Sequence, residues 1–386
     1  MKSDNRTILI FSDWYLPGYK AGGPITSCAN IVELLGDEFD FKVVCSDRDY
    51  LENESYSGVK LNEWVQVGKA QVMYLSPDKQ DLSNIKKIIR EVKAQMAFLN
   101  GMFSKAFTIF PLIALRNQST KVVIAPRGML APAAMGIKSF KKKTFLRLSK
   151  LFGLFSGVKF HATNSVESEQ ISTWFGKVPI EIVANIPGNQ SLDSPGSSHT
   201  KEKNRLSLYT VARIAPEKNI HFALECLKHV DSEISVSFQM IGSVYDQSYL
   251  NRCKKIIETL PDNVEVRFLG AMPGKDIPGV AAKADFFFLP TAGENYGHAI
   301  VEALLTGVPV VISDQTPWRE LVENQMGYDL TLVREEFTVL LNKLGKMADE
   351  EYKLQYKNIE VNAAALINLD KLHMAYQNLF HDRNRS

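Results

Sequence analysis

A chain of 386 residues is too long for one ordinary core and suits two domains of usual size. Apolar residues make up 45% and charged residues 23%, both ordinary for a soluble globular protein. The net charge of +2 gives no global attraction to polyanions, and no recognised motif accompanies the basic residues, so no nucleic-acid partner is expected.

In chain order, the run 7–11 (TILIF) reads as a strand; it is too short, and too soon followed by Asp13, for a signal peptide. A long aromatic and glycine-rich loop follows, 13–24, in which Gly22 and Gly23 suit backbone N–H contacts to a phosphate or sugar oxygen, or simply a flexible turn. The loop is neither a G-x-G-x-x-G fingerprint nor a P-loop, which weakens nicotinamide and ATP readings. Further strands are predicted over 41–45, 72–75, 96–99, 122–125 and 158–162, with helices over 25–35, 85–92 and 165–175. Residues 47–70 break this rhythm and read as a long connection with room for a small hairpin.

The strand 122–125 ends in Ala125-Pro126-Arg127-Gly128-Met129-Leu130. Then 138–152 (KSFKKKTFLRLSKLF) is strongly basic with Phe and Leu interleaved. As a helix it is cationic and amphipathic, fit to lie on an anionic membrane surface. The competing reading is an ordinary surface helix with Phe140, Phe145 and Leu148 in the core.

Residues 188–204 are polar, rich in Gly and Ser, and read as a linker. A second βα series follows, with strands at 206–211, 236–241, 264–269, 286–289 and 308–312 and helices at 222–230, 249–260 and 298–306; from Glu335 the pattern is helical to the end. The rhythm predicts two doubly wound α/β domains facing a central cleft: 1–187, then 205–365, with 366–386 a terminal helix returning to the first domain. No stretch is long enough to span a bilayer. Cys28, Cys45, Cys226 and Cys253 form no C-x-x-C pair and have no His at metal-ligand spacing, so they read as reduced thiols of a cytoplasmic protein, without a metal.

The chemistry is expected in loops after strands. The strongest string is Gly293-Glu294-Asn295-Tyr296-Gly297-His298, leading through Glu302 to Gly307-Val308-Pro309. Gly297 permits close backbone approach where a helix begins, and a helix start suits a phosphate. A carboxylate at Glu302 suits a ribose diol, and one at Glu294 suits sugar hydroxyls; either alone reads better as a solvated surface residue, and the whole string carries the ligand reading. Arg213 and Lys218 flank the loop after 206–211 and suit a diphosphate, or the solvated end of a sheet.

These residues resemble the retaining glycosyltransferases of family 4, with the GT-B architecture, over nearly the whole chain and most strongly over 206–320. The family's E-x7-E motif matches Glu294 and Glu302, its diphosphate-binding pair matches Arg213 and Lys218, and its glycines match Gly242, Gly22 and Gly23. The segment 314–319 is similar to members that build bacterial surface polysaccharides. The resemblance implies a nucleotide diphosphate sugar as donor, a saccharide or lipid-linked saccharide as acceptor at the inner face of the membrane, and neither metal nor cofactor. It further implies that Arg213 and Lys218 neutralise the diphosphate, Glu302 holds the ribose, Glu294 with Asn295, Tyr296 and Gly297 holds the sugar, and Leu269 to Met272 line the base pocket. Many members carry His where this chain has Arg127. Arg is no general base at neutral pH, so Arg127 is expected to bind a hydroxyl or phosphate. A non-catalytic subunit of the same fold and a nucleotide-sugar epimerase are the alternatives; the intact Arg213, Lys218, Glu294 and Glu302 set speaks against the first and the basic segment against the second.

Overall fold

A computed structural model describes residues 6–136, 139–188 and 199–381. Among these, one unit runs to Ile186 and resumes at Leu369; the other is Pro187–Asn368.

The N-terminal unit holds strands β1 (Thr7–Ser12), β2 (Asp40–Ser46), β3 (Trp64–Val67), β4 (Ala70–Leu75), β5 (Met96–Asn100), β6 (Lys121–Ala125), β7 (Lys159–Ala162) and β8 (Ile180–Ile182). Its helices are α1 (Gly23–Leu35), α2 (Leu82–Val92), α3 (Phe110–Leu115), α4 (Pro132–Gly136), α5 (Ser139–Leu151) and α6 (Ser165–Phe175). The sheet order is β3-β4-β2-β1-β5-β6-β7-β8. Every pairing is parallel except the β3–β4 hairpin, whose first strand lies within 47–70 and whose second contains the predicted strand 72–75. Strand pleating sends alternate residues to opposite faces. Leu9 and Phe11 enter one buried core, and Ile8 and Ile10 enter the other.

The C-terminal unit holds β9 (Arg205–Val211), β10 (Ser235–Ile241), β11 (Val264–Gly270), β12 (Phe286–Leu289), β13 (Val310–Ser313) and β14 (Gly327–Leu330). Its helices are α7 (Ile220–Leu227), α8 (Gln247–Ile257), α9 (Ile277–Ala281), α10 (His298–Leu305), α11 (Arg334–Lys346), α12 (Asp349–Tyr356) and α13 (Ile359–Ile367). All its strand pairings are parallel, in the order β11-β10-β9-β12-β13-β14. Strands buried on both faces explain the uninterrupted apolar run Phe286–Leu289.

The helical tail is four helices. The last, α14 (Leu369–His381), packs in the N-terminal unit, where Tyr376, Leu379 and Phe380 join the Ile8/Ile10 core. Phe380 sits edge-on against Phe39, Phe41 and Phe98, and the Arg6 guanidinium donates to the carbonyls of Phe380 and His381 at 3.1 and 3.3 Å. Burying one Phe side chain contributes about 1.5–3 kcal/mol.

Most of the linker read over 188–204, residues 189–198, lies outside the described residues, as do Lys138 and residues 382–386. Its end, 199–204, is not a linker but part of the C-terminal unit. Lys201 is buried and its Nζ donates to the carbonyls of Glu202 and Arg205. Buried Asp285 accepts from His199 at 2.7 Å and from the Ser207 N–H at 2.6 Å. The polar composition that signalled a linker is thus satisfied internally. All four cysteines are buried and free, and burial raises each thiol's pKa.

Candidate nucleotide-sugar site

Open parallel sheets bind ligands at the carboxyl ends of strands where strand order reverses. In the C-terminal unit that point lies between β9 and β12: β10 and β11 extend to one side, β13 and β14 to the other. The loops leaving β9 and β12 carry Arg213, Lys218 and Glu294.

Backbone and side-chain hydrogen bonds stitch these loops together. The Ala292 N–H and the Thr291 hydroxyl both donate to the Glu217 carbonyl, at 2.9 and 3.0 Å. The Asn219 amide donates to the Pro290 carbonyl at 2.9 Å, and the Ser313 hydroxyl to the Thr291 carbonyl at 2.6 Å. On this frame the Lys218 ammonium donates to the Glu294 carboxylate; their side chains are 15% and 12% exposed. The Glu294 N–H donates to the Gln315 carbonyl at 3.0 Å. Arg213 pairs with Glu217 at 3.4 Å and lies over the Tyr245 ring, 5.1 Å from its centroid.

Gly242 explains how the β9 loop meets the next one. A Cβ there would fall 1.9 Å from the Ala212 carbonyl oxygen, at a φ of 154° that side chains rarely adopt. Its N–H donates to the Gly270 carbonyl at 2.8 Å, so the ends of β9, β10 and β11 are contiguous. Leu269 is exposed and Met272 half-buried beside them.

Past Glu294, Asn295 is half-buried and Tyr296 buried. Trp318 Nε1 donates to the Tyr296 carbonyl at 2.5 Å, and the two rings meet edge to face at 5.6 Å. Gly297, at φ 80°, precedes α10 and supplies no side-chain cap. The first turn of α10 therefore presents main-chain N–H groups and the positive end of the helix dipole. Glu302 lies on α10, and its charge acts on the buried Tyr209 phenol of β9. Burial pushes the Glu302 carboxyl up to about 7. Among the described residues its side chain has no hydrogen-bond or ion-pair partner.

The remaining sequence candidates lie in the N-terminal unit, at its own reversal point between β1 and β5. Gly22, at φ 68°, precedes α1, which begins at Gly23. Arg127 has two of its nitrogens engaged within this unit, while its Nη2 is buried without a hydrogen-bond partner among the described residues. Its Nε donates to Asn100 at 2.8 Å, its Nη1 to Asn185 at 2.5 Å, and the guanidinium lies over the Phe98 ring. Arg127 itself has a φ of 56°, in the left-handed region. Asn100 also donates to the Ser12 hydroxyl and the Pro24 carbonyl, both at 3.0 Å; Ser104 donates to Asp13 at 2.6 Å. Sequence reasoning passed over Asn100 and Ser104, and over Glu217 and Tyr245, which occupy Arg213. The only signal was a polar residue where an apolar strand ends.

Comparison with known proteins fits this geometry. Residues 196–332 match the family of glycosyl transferases group 1. The matched residues lie within the C-terminal unit. The O-antigen chain mannosyltransferase B of Escherichia coli is 30% identical over 112 residues, 29% of this chain and 29% of that protein. The UDP-Gal:alpha-D-GlcNAc-diphosphoundecaprenol alpha-1,3-galactosyltransferase of Escherichia coli is 26% identical over 151 residues, 39% of this chain and 38% of that protein. The chain thus spans well under two thirds of these relatives' lengths. Among solved structures, Anabaena HepE in complex with UDP and glucose superposes with a TM-score of 0.72, at 17% identity, over 98% of this chain and 100% of that one. The fold is GT-B, two α/β domains built on parallel sheets.

Proposed function

We propose that this chain transfers a glycosyl group from a nucleotide diphosphate sugar to a saccharide or lipid-linked saccharide, with retention of anomeric configuration, in the synthesis of a bacterial surface polysaccharide. The observation that carries the reading is the Lys218–Glu294 pair joining the β9 and β12 loops at the reversal point of the sheet. The mannosyl- and galactosyltransferase relatives, and the UDP and glucose bound by HepE, support donor and reaction class.

In this scheme the ion pair is a latch. A diphosphate competes for Lys218 and, with Arg213, takes up both cations; Glu294 is then released to accept hydrogen bonds from sugar hydroxyls. The N–H groups at the start of α10, following Asn295, Tyr296 and Gly297, face the same ligand. Glu302, lacking a partner, accepts from the ribose diol, while Leu269 to Met272 flank the base. The anomeric carbon's bond to the phosphate oxygen breaks as an acceptor hydroxyl attacks from the same face. The hydroxyl proton passes to the departing phosphate. Arg213 and Lys218 act where negative charge grows, so they stabilise the transition state more than the ground state. The scheme assigns that charge to side chains, without a divalent ion or cofactor.

The test is release of nucleoside diphosphate from UDP-, GDP- and ADP-sugars, with and without undecaprenyl-diphosphate-linked saccharides. Turnover of at least one donor, lost in Lys218→Ala, is expected. No turnover of any, with the protein folded, defeats the reading.

A further inference from the structure

The stretch between Glu91 and Glu167 contains no Asp or Glu, and twelve Lys or Arg. A chain with net charge +2 has therefore concentrated unopposed positive charge in one segment, and α5 lies within it.

The helix sorts its residues by face. Inward, Leu146 is buried and Phe145 packs edge-on against Phe103 and Phe155, at 5.9 and 6.4 Å. Lys142 also turns inward, donating to the Ala134 carbonyl at 2.6 Å with its ammonium over Phe103. Core packing is thus complete without Phe140 and Leu148, which the surface-helix reading assigned to the core. Phe140, Leu148 and Leu151 sit at i, i+8 and i+11, one outward stripe of a 3.6-residue period. Phe140 is 83% exposed and Leu151 76%, and Phe152, just past the helix end, is 65% exposed. Lys141 borders it on one side and Lys143 and Lys150 on the other, all exposed, with Arg147 between.

Bare Phe and Leu on an outward face lose the hydrophobic stabilisation they would gain by burial, and lysines on both sides leave them without a protein cover of their own charge. An apolar stripe rimmed by ammonium groups is complementary to one environment, hydrocarbon beneath a layer of negative headgroups. We propose that this face of α5 is a docking surface for an anionic lipid membrane: Phe140, Leu148, Leu151 and Phe152 enter the acyl boundary, and Lys141, Lys143, Arg147 and Lys150 meet lipid phosphates. The inference concerns α5 alone and does not depend on glycosyl transfer.

The test is co-sedimentation of the full chain with vesicles of phosphatidylglycerol and phosphatidylcholine, against phosphatidylcholine alone, from low to high NaCl. Binding to the anionic vesicles only, weakening as salt screens the headgroups, is expected. F140S/L151S and K141Q/K143Q/K150Q should each weaken it by at least about tenfold. Because these side chains are exposed, both variants should keep the wild-type melting temperature and the wild-type stabilisation by nucleoside diphosphates. Three results overturn the proposal: no sedimentation, equal binding to neutral vesicles, or wild-type binding by F140S/L151S. The last would mark α5 as a polyanion-binding surface without lipid insertion.

Discussion

Each sheet reverses its strand order once, and the two reversal points are furnished differently. In the N-terminal unit Ser104 donates to Asp13, and Arg127 donates to both Asn100 and Asn185. Burial raises the pKa of Asp13, opposed by its bond to the Ser104 hydroxyl. In the C-terminal unit the cations are held by carboxylates, Lys218 by Glu294 and Arg213 by Glu217, and Glu302 is held by nothing. A network of mutual hydrogen bonds fixes a shape. Ion pairs that a ligand's charge can replace, beside a half-buried carboxyl without a partner, describe a surface prepared for exchange. The contrast teaches that similar topology does not confer similar readiness to bind.

The sharpest way to break the contrast is to remove the exchangeable pair. Lys218→Ala and Glu294→Ala should each lower kcat for glycosyl transfer about 10²–10³-fold, the cost of losing one preorganised contact to the developing charge. A change in KM alone would contradict the role given to Lys218. Next in size is Gly242→Ala, whose methyl meets the Ala212 carbonyl at 1.9 Å. It should cost about 3 kcal/mol or more in chemical denaturation and displace the β9 loop.

Arg127→Ala should act through the fold of the N-terminal unit. It strips buried Asn100 and Asn185 of a donor, for about 1–3 kcal/mol. Stabilisation by nucleoside diphosphates should stay at the wild-type level; its loss would contradict the separation of the two regions. The smallest effect is a pH slope. The Glu302 carboxyl is raised from 4.5 to about 7 in the fold. Between those values the unfolded chain releases its proton first, so stability falls as pH rises through this window. Glu302→Gln should remove that slope, on the order of 1–2 kcal/mol once partial exposure is allowed for, in melts from pH 4.5 to 8. In the wild type, nucleoside diphosphate affinity should climb up to about pH 7 and level off, since a ribose diol donates best to the ionised carboxyl.

The strands at the centre of both sheets were legible because a fully buried parallel strand must be an unbroken apolar run; 286–289 is the clearest case. The edges were not. Ile180–Ile182 and Gly327–Leu330 are short, and neither composition nor period marks them. In the candidate site, Glu294 and Lys218 were legible as charges beside strand ends, but their direct pairing was not, because it joins loops 76 positions apart. The anchoring of Arg127 was hidden for the same reason. Its partners, Asn100 and Asn185, lie 27 and 58 positions away, and a guanidinium looks free until those amides are placed. At 199–204 a polar sequence concealed a buried Lys201.

The most direct measurement is a thermal-shift titration of the wild type and of Arg213→Ala/Lys218→Ala with UDP, GDP and ADP. At least one nucleotide should raise the wild-type melting temperature in a concentration-dependent way, and the double variant should lose that rise while remaining folded. A wild type that none of the three stabilises, or a double variant stabilised as strongly, would contradict diphosphate binding at the β9–β12 reversal point.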